Sequence, residues 1–181
     1  MGIRPSLLVS LSVLVLTVVC LPLSLAAQNS AWAGDKSTAN QRKGSGLPIP
    51  RFASLRSDEV NVRTGPGSRY PIDWVFKRKG MPVEIVAEFE NWRKIRDWQG
   101  ASGWVHQSLL TGKRSFIIPG KAASVHKTPA TSAEVVAKLE PEVMGEIRSC
   151  AGDWCRVRVP SVSGWIERTS LWGVYKSEPI N

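Results

Sequence analysis

Two arginines, a tyrosine and two tryptophans, Arg63, Arg69, Tyr70, Trp92 and Trp98, are the residues whose types and spacing point to recognition. A guanidinium pairs a carboxylate through two parallel hydrogen bonds, and an aromatic face stacks on sugar rings or apolar peptide groups. The first three flank the run Thr-Gly-Pro-Gly-Ser at 64–68, and Trp92 and Trp98 lie on either side of Arg-Lys-Ile-Arg-Asp. Together they form a candidate ligand surface, to be weighed against a solvated face with scattered aromatics.

The glycine knot itself has two readings. A phosphate cradle needs its glycines between a strand and a helix N-terminus, whose amides complete the site. Here Gly65-Pro66-Gly67 is followed by Tyr70-Pro71 and Trp74-Val75-Phe76, with no helix opening and no Gly-Lys-Ser. It therefore reads as a tight loop between strands, with Pro66 fixing one φ and the glycines free to take unusual backbone angles.

Catalytic and metal-ligating sets are hard to assemble. Cys150 and Cys155 bracket Ala-Gly-Asp-Trp, a hairpin turn that a disulfide would clip. Zinc is the weaker alternative, because a structural site needs four ligands and the chain has only His106 and His126 besides its three cysteines. Both histidines precede the cysteine pair, and paired carboxylates are lacking: Glu88 and Glu90 alternate beside a turn, as solvated residues do. The reading is a non-enzyme, with no cofactor and no metal.

The elements that must position these residues are short strands. Val60-Asn61-Val62-Arg63, Val83-Glu84-Ile85-Val86 and Arg156-Val157-Arg158-Val159 alternate, with turns at Asn91 and Gly152-Asp153. Helical stretches are scarce, Ser132 to Lys138 offering a turn or two. Short strands at this spacing predict small barrels.

A formal net charge of +9 over 181 residues favours an acidic partner. No run of five or six basic residues appears, which argues against nucleic acid. Arg4, the apolar run 7–25 and the Ala-Trp-Ala exit at 31–33 read as a secretory signal, cleaved after Ala33 or secondarily at Ala26. The run is also long enough to remain as an uncleaved membrane anchor. Either way the body of the protein is exported, periplasmic or in the cell envelope, where disulfides persist. Residues 34–54 read as a flexible linker rich in Gly, Ser and Pro.

The strand pattern occurs twice. Trp92, Ile95, Gly103-Trp104-Val105 and Leu110 recur as Trp154, Val157, Gly164-Trp165-Ile166 and Leu171, and Val62 and Pro66 as Val125 and Pro129. The offset stays between 61 and 63, so the chain carries an internal duplication.

Asn-Val-Arg-x-Gly-Pro-Gly, an apolar run after Lys-Gly, a Trp-x-Lys-Ile strand and Gly-Trp-Val-His-x-x-x-Leu stand in that order in the first copy. In this it resembles bacterial SH3-like domains. The resemblance implies an all-β chain of two tandem SH3-like barrels, 55–113 and a diverged 114–176, with a tail at 177–181. In the second copy the Gly-Pro-Gly loop has become Lys127-Thr128-Pro129. By the family pattern Trp104 and Trp165 are mainly packing residues and His106 is structural. Trp98 is placed on an exposed hairpin tip. The implied role is non-catalytic binding of cell-wall peptidoglycan through its stem peptide; the alternative is an adaptor that docks a peptide or an envelope protein. The membrane is a partner only if the N-terminal segment stays uncleaved.

Overall fold

The computed structural model describes residues 44–181; the expected signal, its cleavage point and the first part of the linker lie outside them. Among the described residues thirteen strands form two antiparallel sheets, both within one compact unit. The first sheet contains β1 (Arg51–Leu55), β2 (Val60–Arg63), β3 (Ile72–Phe76), β4 (Pro82–Phe89), β5 (Trp92–Arg96), β6 (Ser102–His106) and β7 (Leu110–Thr111), ordered β3-β2-β6-β5-β4-β1-β7. The second contains β8 (Ser115–Ile117), β9 (Ala123–His126), β10 (Val135–Leu139), β11 (Met144–Ala151), β12 (Trp154–Val159) and β13 (Val162–Glu167), ordered β10-β9-β13-β12-β11-β8. Each sheet keeps two edge strands, so neither barrel is closed by a continuous hydrogen-bond ladder.

The duplication is visible strand by strand. β1 pairs β4 as β8 pairs β11, and the bulge between Ile85 and Ala87 in β4 recurs between Ile147 and Ser149 in β11. A bulge adds local twist, which lets a long strand bend around its own core. Alternation fills those cores: Val60, Val62, Val83, Ile85, Ile95 and Val105 in the first, and Val125, Ile147, Val157 and Ile166 at matching places in the second. The Gly-Trp motif has a steric cause. A Cβ on Gly103 would strike Val62, and one on Gly164 would strike Val125, so only glycine lets β6 cross β2 and β13 cross β9 this closely.

Three expectations change. β1 begins at Arg51, inside the stretch read as linker, because Arg51–Ser54 pairs with β4. Residues 135–139 form edge strand β10 rather than a helical turn, since Val135 and Leu139 pair with His126 and Ala123 of β9. The C-terminus is no loose tail: Cys150 N donates to Ile180 O at 2.8 Å, and Ile180 is buried in the second core.

That terminal segment also joins the barrels. Phe52 of β1 packs against Trp172 and Tyr175, with ring centroids 4.9 and 4.6 Å apart. Tyr175 Oη donates to Glu84 Oε1 at 2.8 Å, while Arg96 holds Oε2 of the same buried carboxylate at 2.5 Å. Burial and the bond to Glu84 push the Tyr175 phenol well above the ordinary tyrosine range. Arg114 pairs with Glu178 and donates to Gly173 O, and buried Arg168 donates to Tyr175 O and Glu178 O. Burial raises the Glu178 carboxyl, but the Arg114 bond and charge outweigh it and hold it below the usual range.

Candidate functional site

The loop between β2 and β3 is braced from beneath by Arg63. Its Nη1 donates to Ser68 O at 3.1 Å and to Tyr70 O at 2.7 Å. Backbone bonds from Thr64 N to Pro71 O and from Tyr70 N to Gly67 O close the turn. The Tyr70 ring lies so close to Gly65 that a Cβ there would overlap it. Arg69 is exposed, with its guanidinium 5.3 Å from the Tyr70 ring centroid.

Facing this loop is the β4–β5 hairpin. Trp92 opens β5 directly opposite His106 of β6, and the two rings meet edge-on with centroids 5.5 Å apart. Ser108 directs its backbone N–H at His106 Nδ1 (3.3 Å), and its hydroxyl lies 2.7 Å from the same nitrogen. With Nδ1 accepting, the proton of a neutral imidazole sits on Nε2. This Ser–His contact caps the 3-10 turn at Gln107–Leu109. It is a local bond between residues two apart in the chain.

Between loop and hairpin lies a groove of about 580 Å³, lined by 66–69 on one side and by 89–92 with His106 on the other. Its hairpin wall is held by an ion network. Buried Arg93 donates to Glu90 O, Trp92 O and Gln107 Oε1, and its Nε lies 3.1 Å from Glu88. Glu88 also receives Arg51 and both donors of Ser45. Burial pushes the Glu88 carboxyl up, but the bonds from Arg51 and Ser45 prevail and hold it at about 2.

Of the five residues read as a ligand surface, the structure brings Arg69 and Trp92 to one groove. Tyr70 backs the loop and Arg63 braces it. Trp98 lies elsewhere, in the β5–β6 turn, half-buried against the first core rather than exposed on a tip. The strand between the tryptophans separates them by roughly 20 Å at the rise of an extended chain. Sequence reasoning missed Arg93, the groove face of His106 and the buried role of Glu88, read as solvated. The signal was Arg93's inward position beside Ile95 in an alternating strand, which demands a buried partner.

The second barrel treats the same tryptophan differently. His126 pairs with Trp165 as Arg63 pairs with Trp104, and His126 Nδ1 lies 3.1 Å from Ala133 O, taking over the loop brace. Its ring meets Trp154 edge-on at 5.2 Å, and Glu167 stands opposite that tryptophan instead of a histidine. Cys150 and Cys155, cross-strand partners, form a disulfide with sulfurs 2.04 Å apart. Among the described residues no group of three or more His, Cys, Asp or Glu is placed to hold a metal ion, and no helix is long and apolar enough to cross a membrane.

The model of the bacterial SH3 domain matches this chain twice, over 56–112 and 120–173. The chain belongs to the bacterial SH3 domain family. Each match takes in one sheet apart from its first strand, β1 or β8, so the tandem of SH3-like barrels read from the motifs stands.

YrvJ of Bacillus subtilis (strain 168), a protein named for N-acetylmuramoyl-L-alanine amidase activity, is 30% identical over 125 residues, 63% of this chain. The chain spans only 24% of that relative. Among solved structures, NlpC1 from Trichomonas vaginalis aligns at 12% identity and a TM-score of 0.32, covering 71% of this chain and 47% of its own. An NlpC/P60 family protein from Bacillus cereus aligns at 14% identity and a TM-score of 0.31, covering 67% of this chain and 55% of its own.

Proposed function

We propose that this protein is a non-catalytic cell-envelope binding module that recognises peptidoglycan, chiefly its stem peptide, through the groove of the first barrel. The observation that carries the reading is the pairing of Trp92 and His106 across a polar groove from Arg69. Trp92 offers a flat apolar face for a sugar ring or peptide methyl group. Arg69 offers a guanidinium fork to a stem carboxylate, and His106 Nε2 an N–H donor. Membership of the bacterial SH3 family supports a binding role, and the likeness to a protein named as an amidase supports the wall as its setting. In this reading the chain is exported, and its two domains are the barrels expected at 55–113 and 114–176, extended to Arg51 at one end and to Ile180 at the other.

The test is cosedimentation of the full chain with protein-free sacculi at low and moderate salt. Trp92→Ala and Arg69→Ala are expected to lose binding, and Trp98→Ala, away from the groove, to keep it. Binding that persists in the Trp92 and Arg69 variants, or that salt removes equally from all proteins, sinks the assignment.

A protein-docking adaptor is the second reading, favoured by edge strand β10, where Val135 is 53% and Val136 41% exposed. An edge of this kind pairs with an added strand. It predicts no sacculus binding and one discrete crosslinked protein that Val136→Lys abolishes.

A further inference from the structure

A second groove, of about 670 Å³, runs between the two barrels on the side of their connection. Its floor is uncharged. Ser54 and Ser115, one from each barrel, share a buried hydroxyl bond of 2.5 Å, and Met144 of the second sheet packs against the first core. Its rim is cationic: Arg56, Lys79, Lys113 and Arg114 line it, with Glu146 as the lone acid. Glu146 is already paired with Arg148 at 2.6 Å.

Three of these four cations, Arg56, Lys79 and Lys113, are paired with no carboxylate among the described residues. Arg56 uses Nε on Leu110 O at 3.2 Å, which leaves its two terminal nitrogens available. Lys79 and Lys113 are exposed, and their ammonium groups make no ion pair among the described residues. Arg114 commits its terminal nitrogens to Glu178 and Gly173, yet its Nε is the buried side-chain polar atom that lacks a hydrogen-bond partner among the described residues. The rim is also fixed in place. Arg78 Nη2 donates to Glu142 O at 2.9 Å, tying the β3–β4 loop that carries Lys79 to the second barrel. Like charges brought together in this way repel, and an anion offsets that repulsion.

We infer that this inter-barrel groove is a second binding site, for a flexible chain bearing two or more carboxylates, and that neither barrel makes it alone. The guanidinium of Arg56 supplies a fork for one carboxylate, and the ammoniums of Lys79 and Lys113 supply point charges for another. The site is separate from the first-barrel groove, since neither Arg69 nor Trp92 lines it.

The test maps backbone amide shifts of the full chain on titration with tetraglutamate at moderate salt. Shifts are expected at Lys79, Gly80, Lys113 and Gly145, and the Trp92→Ala variant should bind equally well. The double variant Lys79→Glu/Lys113→Glu is expected to lose affinity about tenfold or more, because each reversal replaces a charge-assisted contact with repulsion. The same charge change outside the lining, Lys121→Glu/Lys138→Glu, should keep it within about twofold, since exposed charges that make no direct contact are screened by salt. Shifts centred on Arg69 and Trp92, equal losses in both double variants, or no shifts at all would each overturn the site. Tighter binding of a short polyphosphate than of tetraglutamate would overturn its assignment to carboxylates. Loss of sacculus binding in Trp92→Ala with tetraglutamate binding intact separates the failure of one site from that of the other.

Discussion

Replacing Tyr175 by Phe removes one hydroxyl from the junction between the barrels and leaves the ring against Phe52. That hydroxyl donates to Glu84 Oε1 at 2.8 Å, and Glu84 is only 5% exposed, so water does not readily replace the lost donor. A hydrogen bond to a charged acceptor contributes about 1.5–3 kcal/mol, and with Arg96 still holding Oε2 we expect about 2 kcal/mol. For a chain of this size that lowers Tm by about 4–8 °C. The assay is thermal and urea unfolding of the full chain, with Tyr70→Phe as control. In the Glu84→Ala background the same substitution should cost less than about 0.5 kcal/mol, because its partner is gone. There is an alkaline signature too. The phenol's folded pKa is raised, so its contribution is complete below the ordinary tyrosine pKa near 10 and is lost as pH climbs through the folded value. A Tyr175→Phe protein as stable as Tyr70→Phe, with the same alkaline profile as wild type, would refute the junction as described.

Glu88 works in the opposite pH direction. Its folded pKa is depressed from 4.5 to about 2, so its stabilisation is present above 4.5 and is lost as pH falls toward 2. Discounted for screening this is about 1–2 kcal/mol, and Glu88→Gln should flatten the acid limb of a stability-versus-pH curve. Reducing the Cys150–Cys155 disulfide reopens a short loop and should cost about 2 kcal/mol, read as a lower urea midpoint in reductant. Gly65→Ala drives a methyl group into the Tyr70 ring and should cost about 1–3 kcal/mol. It should also weaken sacculus binding, because the loop that presents Arg69 must shift.

What the sequence made legible was local. The β-strand character, the duplicated order and the repeated Gly-Trp motif follow from alternation, turn residues and a repeat offset, each read within a few residues, whereas the close crossing that the glycine permits came only from the fold. The Cys150–Cys155 pair follows for the same reason, its partners sitting across one hairpin. Arg69 and Trp92 were found by type, but their shared groove depends on how two hairpins fold toward each other. Trp98 shows the limit of that method: side-chain type placed it at the surface, while the β5–β6 turn folds it back onto the core. The junction was illegible because Phe52 and Tyr175, or Glu84 and Tyr175, are far apart in the chain and carry no periodic signal. The bulge in β11 and the strand β10 likewise arise from pairing with neighbours, which outweighs the weak helical preference of 132–138.

The Phe52 contact also has a temporal meaning. The first barrel has all its strands by Thr111, yet the aromatic partners of Phe52 and the hydroxyl donor of Glu84 are not made until Trp172 and Tyr175. As the chain emerges from its N-terminus, the first barrel therefore carries an open apolar patch beside an under-bonded carboxylate until the second is complete. Trp172 and Tyr175 thus cover a surface that the first barrel alone leaves open. A chain cut short of Trp172 is expected to expose Phe52 and to leave Glu84 without its hydroxyl donor.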